Sequence, residues 1–124
     1  LRFDLAIGEP LYIGRGVIMS NKTRMHFVLD GDMPVLKEKD YVSPEAAQTA
    51  LERLYVYVQR AYLHEQPAAT EEYRALAALA AAESPDMYAT LTTADKQIVA
   101  GDLYRALKSL RVLIRAAAVE EAGA

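Results

Sequence analysis

A chain of 124 residues that is 52% hydrophobic is long enough for one domain with a real core, or for one domain and a small appendage. Its formal net charge of −3 excludes binding of polyanions by bulk charge, and the absence of cysteine excludes disulfides and thiolate metal sites. No apolar run approaches the roughly 18–20 residues of a spanning helix, and no basic segment followed by an apolar one marks a signal peptide, so the expected setting is the cytoplasm, away from membranes.

The first 42 residues read as β-structure. Arg2 to Ile7 alternates polar and apolar residues, the period of a half-buried strand. Gly8-Glu9-Pro10 signals a turn, Leu11-Tyr12-Ile13 a short strand, and Gly14-Arg15-Gly16 a break before the apolar run Val17-Ile18-Met19. The polar stretch Ser20 to Thr23 suits a hairpin turn, and Arg24 to Leu29 is rich in strand formers. Asp30-Gly31-Asp32 is a further turn. Pro34, without an N–H, begins the last strand, Pro34 to Lys37, or places it on an edge.

The remainder reads as helix. Ser43-Pro44-Glu45 supplies an N-cap, a proline at the first helical position and an acid in the first turn. Ala47, Leu51, Leu54, Tyr55, Val58 and Tyr62 then share a face, and the helix fades between His64 and Pro67. Thr70 caps an alanine-rich helix expected to bury Tyr73, Leu76, Leu79 and Ala80. Ser84-Pro85 opens a third helical stretch, to about Ala100. Gly101 breaks the chain, and Asp102 caps a last helix. There Leu103, Leu107, Leu110 and Ile114 form a heptad-like seam suited to another helix, with Arg105, Lys108, Arg111 and Arg115 on a neighbouring arc. That arc reads as a solvated face or as a basic patch for RNA or an acidic partner. The expected architecture is α+β: a small antiparallel β-module over residues 1–42 and a bundle of three to four helices over 43–124, packed as one unit. A module of 42 residues is too small to stand alone, so it packs on the helices or pairs with another copy, and a homodimer is expected.

Enzymatic chemistry has little footing. His26 and His64 have no metal-ligand spacing, so no metal site or cofactor is expected. Gly14-Arg15-Gly16 lacks the third glycine of a dinucleotide loop and the Lys-Ser/Thr of a phosphate loop. The pairs Glu71-Glu72 and Glu120-Glu121 are helix neighbours about 100° apart and form no two-carboxylate site. Charge divides unevenly. In residues 1–42, Arg2, Arg15, Lys22, Arg24, Lys37 and Lys39 are balanced by Asp4, Glu9, Asp30, Asp32, Glu38 and Asp40, so the acidity lies in the second part. Tyr12 near Arg15, and Tyr41 near Lys37 and Lys39, are candidates for stacking on single-stranded RNA bases.

Three stretches carry a family resemblance. Gly8-Glu9 with Ile13-Gly14 and Val17-Ile18, then Leu29 to Asp40, then Ala100 to Lys108, resemble the flagellar regulator family FlbT in the right order over most of the chain. The resemblance implies a post-transcriptional repressor that associates with the 5′ untranslated region of flagellin mRNA and promotes its decay. Some members act as activators, and the partner implied is FlaF, with flagellin. A second similarity covers residues 1–42, where Gly8-Glu9-Pro10-Leu11-Tyr12-Ile13-Gly14 and Pro34 to Tyr41 are similar to the carbon storage regulator family of β-stranded RNA binders. It implies an RNA-contacting role for Lys37, whereas Leu5-Ala6 stand where that family has RNA-contacting arginines. The RNA-binding candidates are therefore Lys37, Lys39, Arg15, Arg24, Lys22, Arg2 and Tyr41. The alternative is an adaptor or chaperone acting with FlaF and flagellin without RNA contact, through Leu103, Leu107, Leu110, Ile114, Arg105 and Lys108.

Overall fold

A computed structural model describes residues 1–123, with side chains through Val119, so the Glu120-Glu121 pair lies outside the described side chains. Five strands, β1 (Arg2–Leu5), β2 (Leu11–Ile13), β3 (Gly16–Ile18), β4 (Met25–Val28) and β5 (Val35–Lys37), precede four helices, α1 (Ala50–Leu63), α2 (Glu71–Glu83), α3 (Tyr88–Val99) and α4 (Leu103–Gly123). The α+β order read from the sequence is the observed one. The chain divides into two compact units, Leu1–Tyr41 with Leu63–Glu65, and Val42–Tyr62 with Gln66–Ala124.

In the first unit the strands form two small antiparallel sheets, β1-β4 and β3-β2-β5. β5 lies on an edge, as Pro34 suggests. The Ser20–Thr23 stretch is not the turn of a hairpin: β3 pairs with β2, and β4 returns to β1. The non-local pair wins because the register sets Phe3 opposite Phe27, with ring centroids 5.5 Å apart, and Leu5 opposite Met25. The turn between β2 and β3 holds only Gly14 and Arg15. Gly14, at φ +56, supplies the positive φ that a tight two-residue loop of type II′ needs in its first position. Leu5, Leu11, Leu36 and Leu63 are buried in this unit.

The second unit is helical. Ser43-Pro44 does not start α1; it opens a single 3-10 turn, Pro44–Ala46, which leaves Ala47 outside the helix. The stronger signal lies six residues on. Thr49 Oγ1 accepts the Glu52 N–H (3.1 Å) while Glu52 Oε1 accepts the Thr49 N–H (3.1 Å), a reciprocal capping box. Burial opposes ionisation of Glu52, but the bonds from Thr49 and Gln48 outweigh it and hold the carboxyl below its ordinary range. α1 then buries Leu51, Leu54, Tyr55 and Val58 as the spacing predicts. Gln59 is buried too. Val42 N–H donates to its Oε1 (2.9 Å), and its Nε2 donates to the Val42 carbonyl (2.8 Å).

Thr70 caps α2 by accepting the Tyr73 N–H (3.2 Å), and its hydroxyl also bonds the Tyr57 hydroxyl on α1. Tyr73 and Ala80 are buried as expected, but Leu76 is half-buried and Leu79 is 55% exposed. The inward face is centred on Tyr73, Ala77 and Ala80, and that rotation carries Leu79 outward. Tyr73 donates its hydroxyl to Asp95 on α3 (2.7 Å); burial first, then this carboxylate, pushes its phenol well above the ordinary tyrosine range. α3 ends on Gly101 at φ +82, where the Asp102 N–H bonds the Gln97 carbonyl (2.9 Å) and the Gly101 N–H bonds that of Ile98 (3.0 Å), a Schellman end. α1 ends alike, with the Gln66 N–H on the Ala61 carbonyl (2.9 Å), but there Glu65 carries the positive φ of 54.

Candidate nucleic-acid interface

The seven candidates for RNA contact all fall in the first unit, on different parts of it. Arg2 lies on β1 and Arg24 just before β4. Arg24 is not a free cation. Its Nε and Nη2 donate to the two Asp4 carboxylate oxygens at 2.8 and 3.1 Å, a two-pronged pair. The hydrogen bond from Arg24 holds the exposed Asp4 carboxyl low; desolvation opposes it, and the Arg24 and His26 charges add to the lowering. His26 Nδ1 stands 3.4 Å from the same carboxylate. Arg2, Phe3, Asp4, His26, Phe27 and Val28 line a hollow of about 380 Å³ on this sheet. Asp4 thus offsets positive charge on the β1-β4 face, leaving Arg2 as the cation of that face outside the ion pair.

The second sheet is arranged differently. Lys37 ends β5 opposite Leu11, Lys39 follows in a 3-10 turn (Glu38–Asp40), and Tyr41 comes next. The Tyr41 ring lies flat on Tyr12 of β2, with centroids 3.6 Å apart and planes 10° apart. Burial first, then the neighbouring Tyr41 and Glu38, raises the Tyr12 phenol above its ordinary range. So the two tyrosines that the sequence offers separately as stacking surfaces form one stack. Arg15 sits in the β2-β3 turn, beyond the far end of β2 from Lys37, and Lys22 sits in the loop before β4. The structure therefore joins Lys37, Lys39 and Tyr41 in one segment with Tyr12, sets Arg15 apart from them along the strand, and gives Arg24 to Asp4. Two partners escape the linear reading. Asp4 and Arg24 are twenty residues apart and meet because Asp4 pairs with His26, two residues along from Arg24. Tyr12 and Tyr41 meet because β5 adds to β2 antiparallel and turns back.

The candidate protein-binding seam lies in the second unit. Leu107 and Leu110 are 2% and 0% exposed, so the chain's own bundle covers them, while Leu103 and Ile114 are half-buried. Arg105 Nε lies 3.5 Å from Asp102, and Lys108 Nζ is 5.2 Å from the Tyr104 ring centroid. Among the described residues, no group of three or more His, Asp and Glu gathers to hold a metal, and no helix is long and apolar enough to cross a membrane.

The family model described as flagellar protein FlbT matches residues 1–120. The chain belongs to the FlbT family. It is 37% identical over 116 residues to the "Probable flagellum biosynthesis repressor protein FlbT" of Rhodopseudomonas palustris, covering 93% of this chain and 92% of that FlbT. It is 32% identical over 116 residues to a FlbT protein of the same description, numbered 1, from Bradyrhizobium diazoefficiens, covering 92% and 80%. A FlbT protein of Allorhizobium ampelinum is 29% identical over 118 residues, covering 91% and 78%. No solved structure matches this FlbT chain.

Proposed function

We propose that this FlbT family member is a cytoplasmic regulator of flagellum synthesis, not an enzyme, that represses flagellin production by associating with the 5′ leader of flagellin mRNA and promoting its degradation. The repressor names of its relatives support the regulatory reading. The observation that carries RNA contact is the Tyr12-Tyr41 stack beside Lys37 and Lys39, an aromatic surface next to cations of the kind that holds single-stranded bases. With Arg24 paired and the strand segment near neutrality, contact rests on few phosphates. Two single-strand contacts give a slope of log affinity on log salt of about −1.4. A mobility shift with a flagellin 5′ leader tests this. Lys37→Ala and Lys39→Ala each weaken binding and flatten the slope; binding unchanged by both and by salt overturns the site. In cells, the same variants lengthen the flagellin messenger's half-life.

The second unit favours an alternative, an adaptor acting with FlaF and flagellin without RNA contact. Its observation is an apolar cleft of about 280 Å³ walled by Ala77, Ala78 and Ala81 of α2 and Tyr88 and Leu91 of α3. Capture of FlaF or flagellin by a full chain that does not retain the leader RNA, and loss of that capture on Ala78→Arg, selects it.

A further inference from the structure

Two exposed helix faces in the second unit have opposite charge, each with an apolar centre. On α4, Tyr104, Lys108, Val112, Arg115 and Val119 fall within an arc of about 80° and run roughly 22 Å along the axis. Tyr104, Val112 and Val119 are 43%, 60% and 71% exposed. From Leu103 to Val119 the helix carries Arg105, Lys108, Arg111 and Arg115 and no acid. On α2, Glu72, Leu76, Leu79 and Glu83 share one face at spacings of four, three and four, with both glutamates exposed. Each face therefore has an apolar centre with like charges at both ends: Val112 between Lys108 and Arg115, Leu79 between Glu72 and Glu83.

We infer that the chain pairs with a second copy of itself through these faces, α4 of one protomer lying along α2 of the other. The exchange is reciprocal, so a two-fold axis makes both contacts at once and closes the assembly as a dimer. Val112 and Leu79 leave water together, and the flanking charges, about 10 Å apart on α4 and about 16 Å apart on α2, attract through their long side chains and exclude like-with-like pairings. An RNA backbone would satisfy the cations and leave Val112 and Val119 in water. The complement to both features is present on this same chain. Two single-helix contacts are small for an interface, so the dimer is reversible, and its exposed ion pairs make it salt-sensitive.

Sedimentation of the full chain over a concentration series, at low and high salt, reads this directly. Wild type is a dimer at low salt and dissociates more readily at high salt. Lys108→Glu with Arg115→Glu, and separately Glu72→Lys with Glu83→Lys, each raise the dissociation constant about tenfold or more, that is about 1.4 kcal/mol. Circular dichroism melting checks that each still folds. Mixing the two double variants restores a one-to-one dimer, and the chain carrying all four changes dimerises with itself again. Val112→Asp, at an exposed site, weakens the dimer without charge reversal at either end. A wild type that stays monomeric, a dimer indifferent to both reversals, or double variants that do not pair on mixing would each overturn the inference.

Discussion

Gln59 offers a direct test of how Val42 is held to α1. Its side-chain amide satisfies both backbone groups of Val42, as a neighbouring strand would, and Gln59 is 3% exposed. Gln59→Leu keeps the bulk and removes both bonds. An unsatisfied buried backbone group costs about 1–3 kcal/mol. Two are freed, but Val42 is half-buried and water reaches it in part, so the expected loss is about 2–4 kcal/mol. Urea unfolding followed by far-UV dichroism reads this as a lower midpoint at unchanged slope. Gln59→Glu sharpens the test. The introduced carboxylate still accepts the Val42 N–H but sets a negative oxygen against the Val42 carbonyl, so its folded pKa is raised. Stability is then fully present below the unfolded glutamate value of about 4.3 and lost as pH rises through the folded value. A Gln59→Leu loss under about 0.5 kcal/mol, or a Gln59→Glu chain no more stable in acid relative to wild type, refutes the tether.

Glu65 stands with positive φ at a helix end where Gly101 serves α3, so Glu65→Gly should stabilise by about 1 kcal/mol and Gly101→Ala should destabilise by about as much, both measured by thermal melting. Tyr73 is held neutral when folded, so its contribution is fully present below the ordinary tyrosine pKa of about 10 and declines as pH rises towards the raised folded value. Tyr73→Phe should flatten that alkaline loss, and an unchanged alkaline limb would count against the burial of the phenol. Thr49→Ala removes the hydroxyl half of the α1 capping box and should cost about 1 kcal/mol in denaturant unfolding, whereas Ser43→Ala should cost far less.

What the sequence made legible was local. Strand positions follow from alternation between turn residues, and the ends of α2 and α3 follow from Thr70 and Gly101, because caps and periods are short-range signals. The sequence misplaces the start of α1 because Ser43-Pro44-Glu45 satisfies the same local rules as Thr49 to Glu52. The choice between them rests on the reciprocal bond and on Leu51 entering the core. Strand partners were hidden for a different reason. β4 returns to β1 because Phe27 meets Phe3, and alternation is blind to which of several apolar faces will meet. The same blindness covered the candidate interface, where Arg24 counts as a cation in the sequence and as half of an ion pair in the structure.

Leu63–Glu65 belongs with the strands although it ends a helix of the other unit. Leu63 is 7% exposed, and its carbonyl oxygen lies 3.9 Å from where a side chain on Gly14 would begin. A gene cut after Tyr41 would thus strip the strand segment of one of its buried leucines and leave it on the wrong fragment. Neither half is a transferable cassette, and a chimaera with a relative should exchange Leu63–Glu65 together with the first 41 residues.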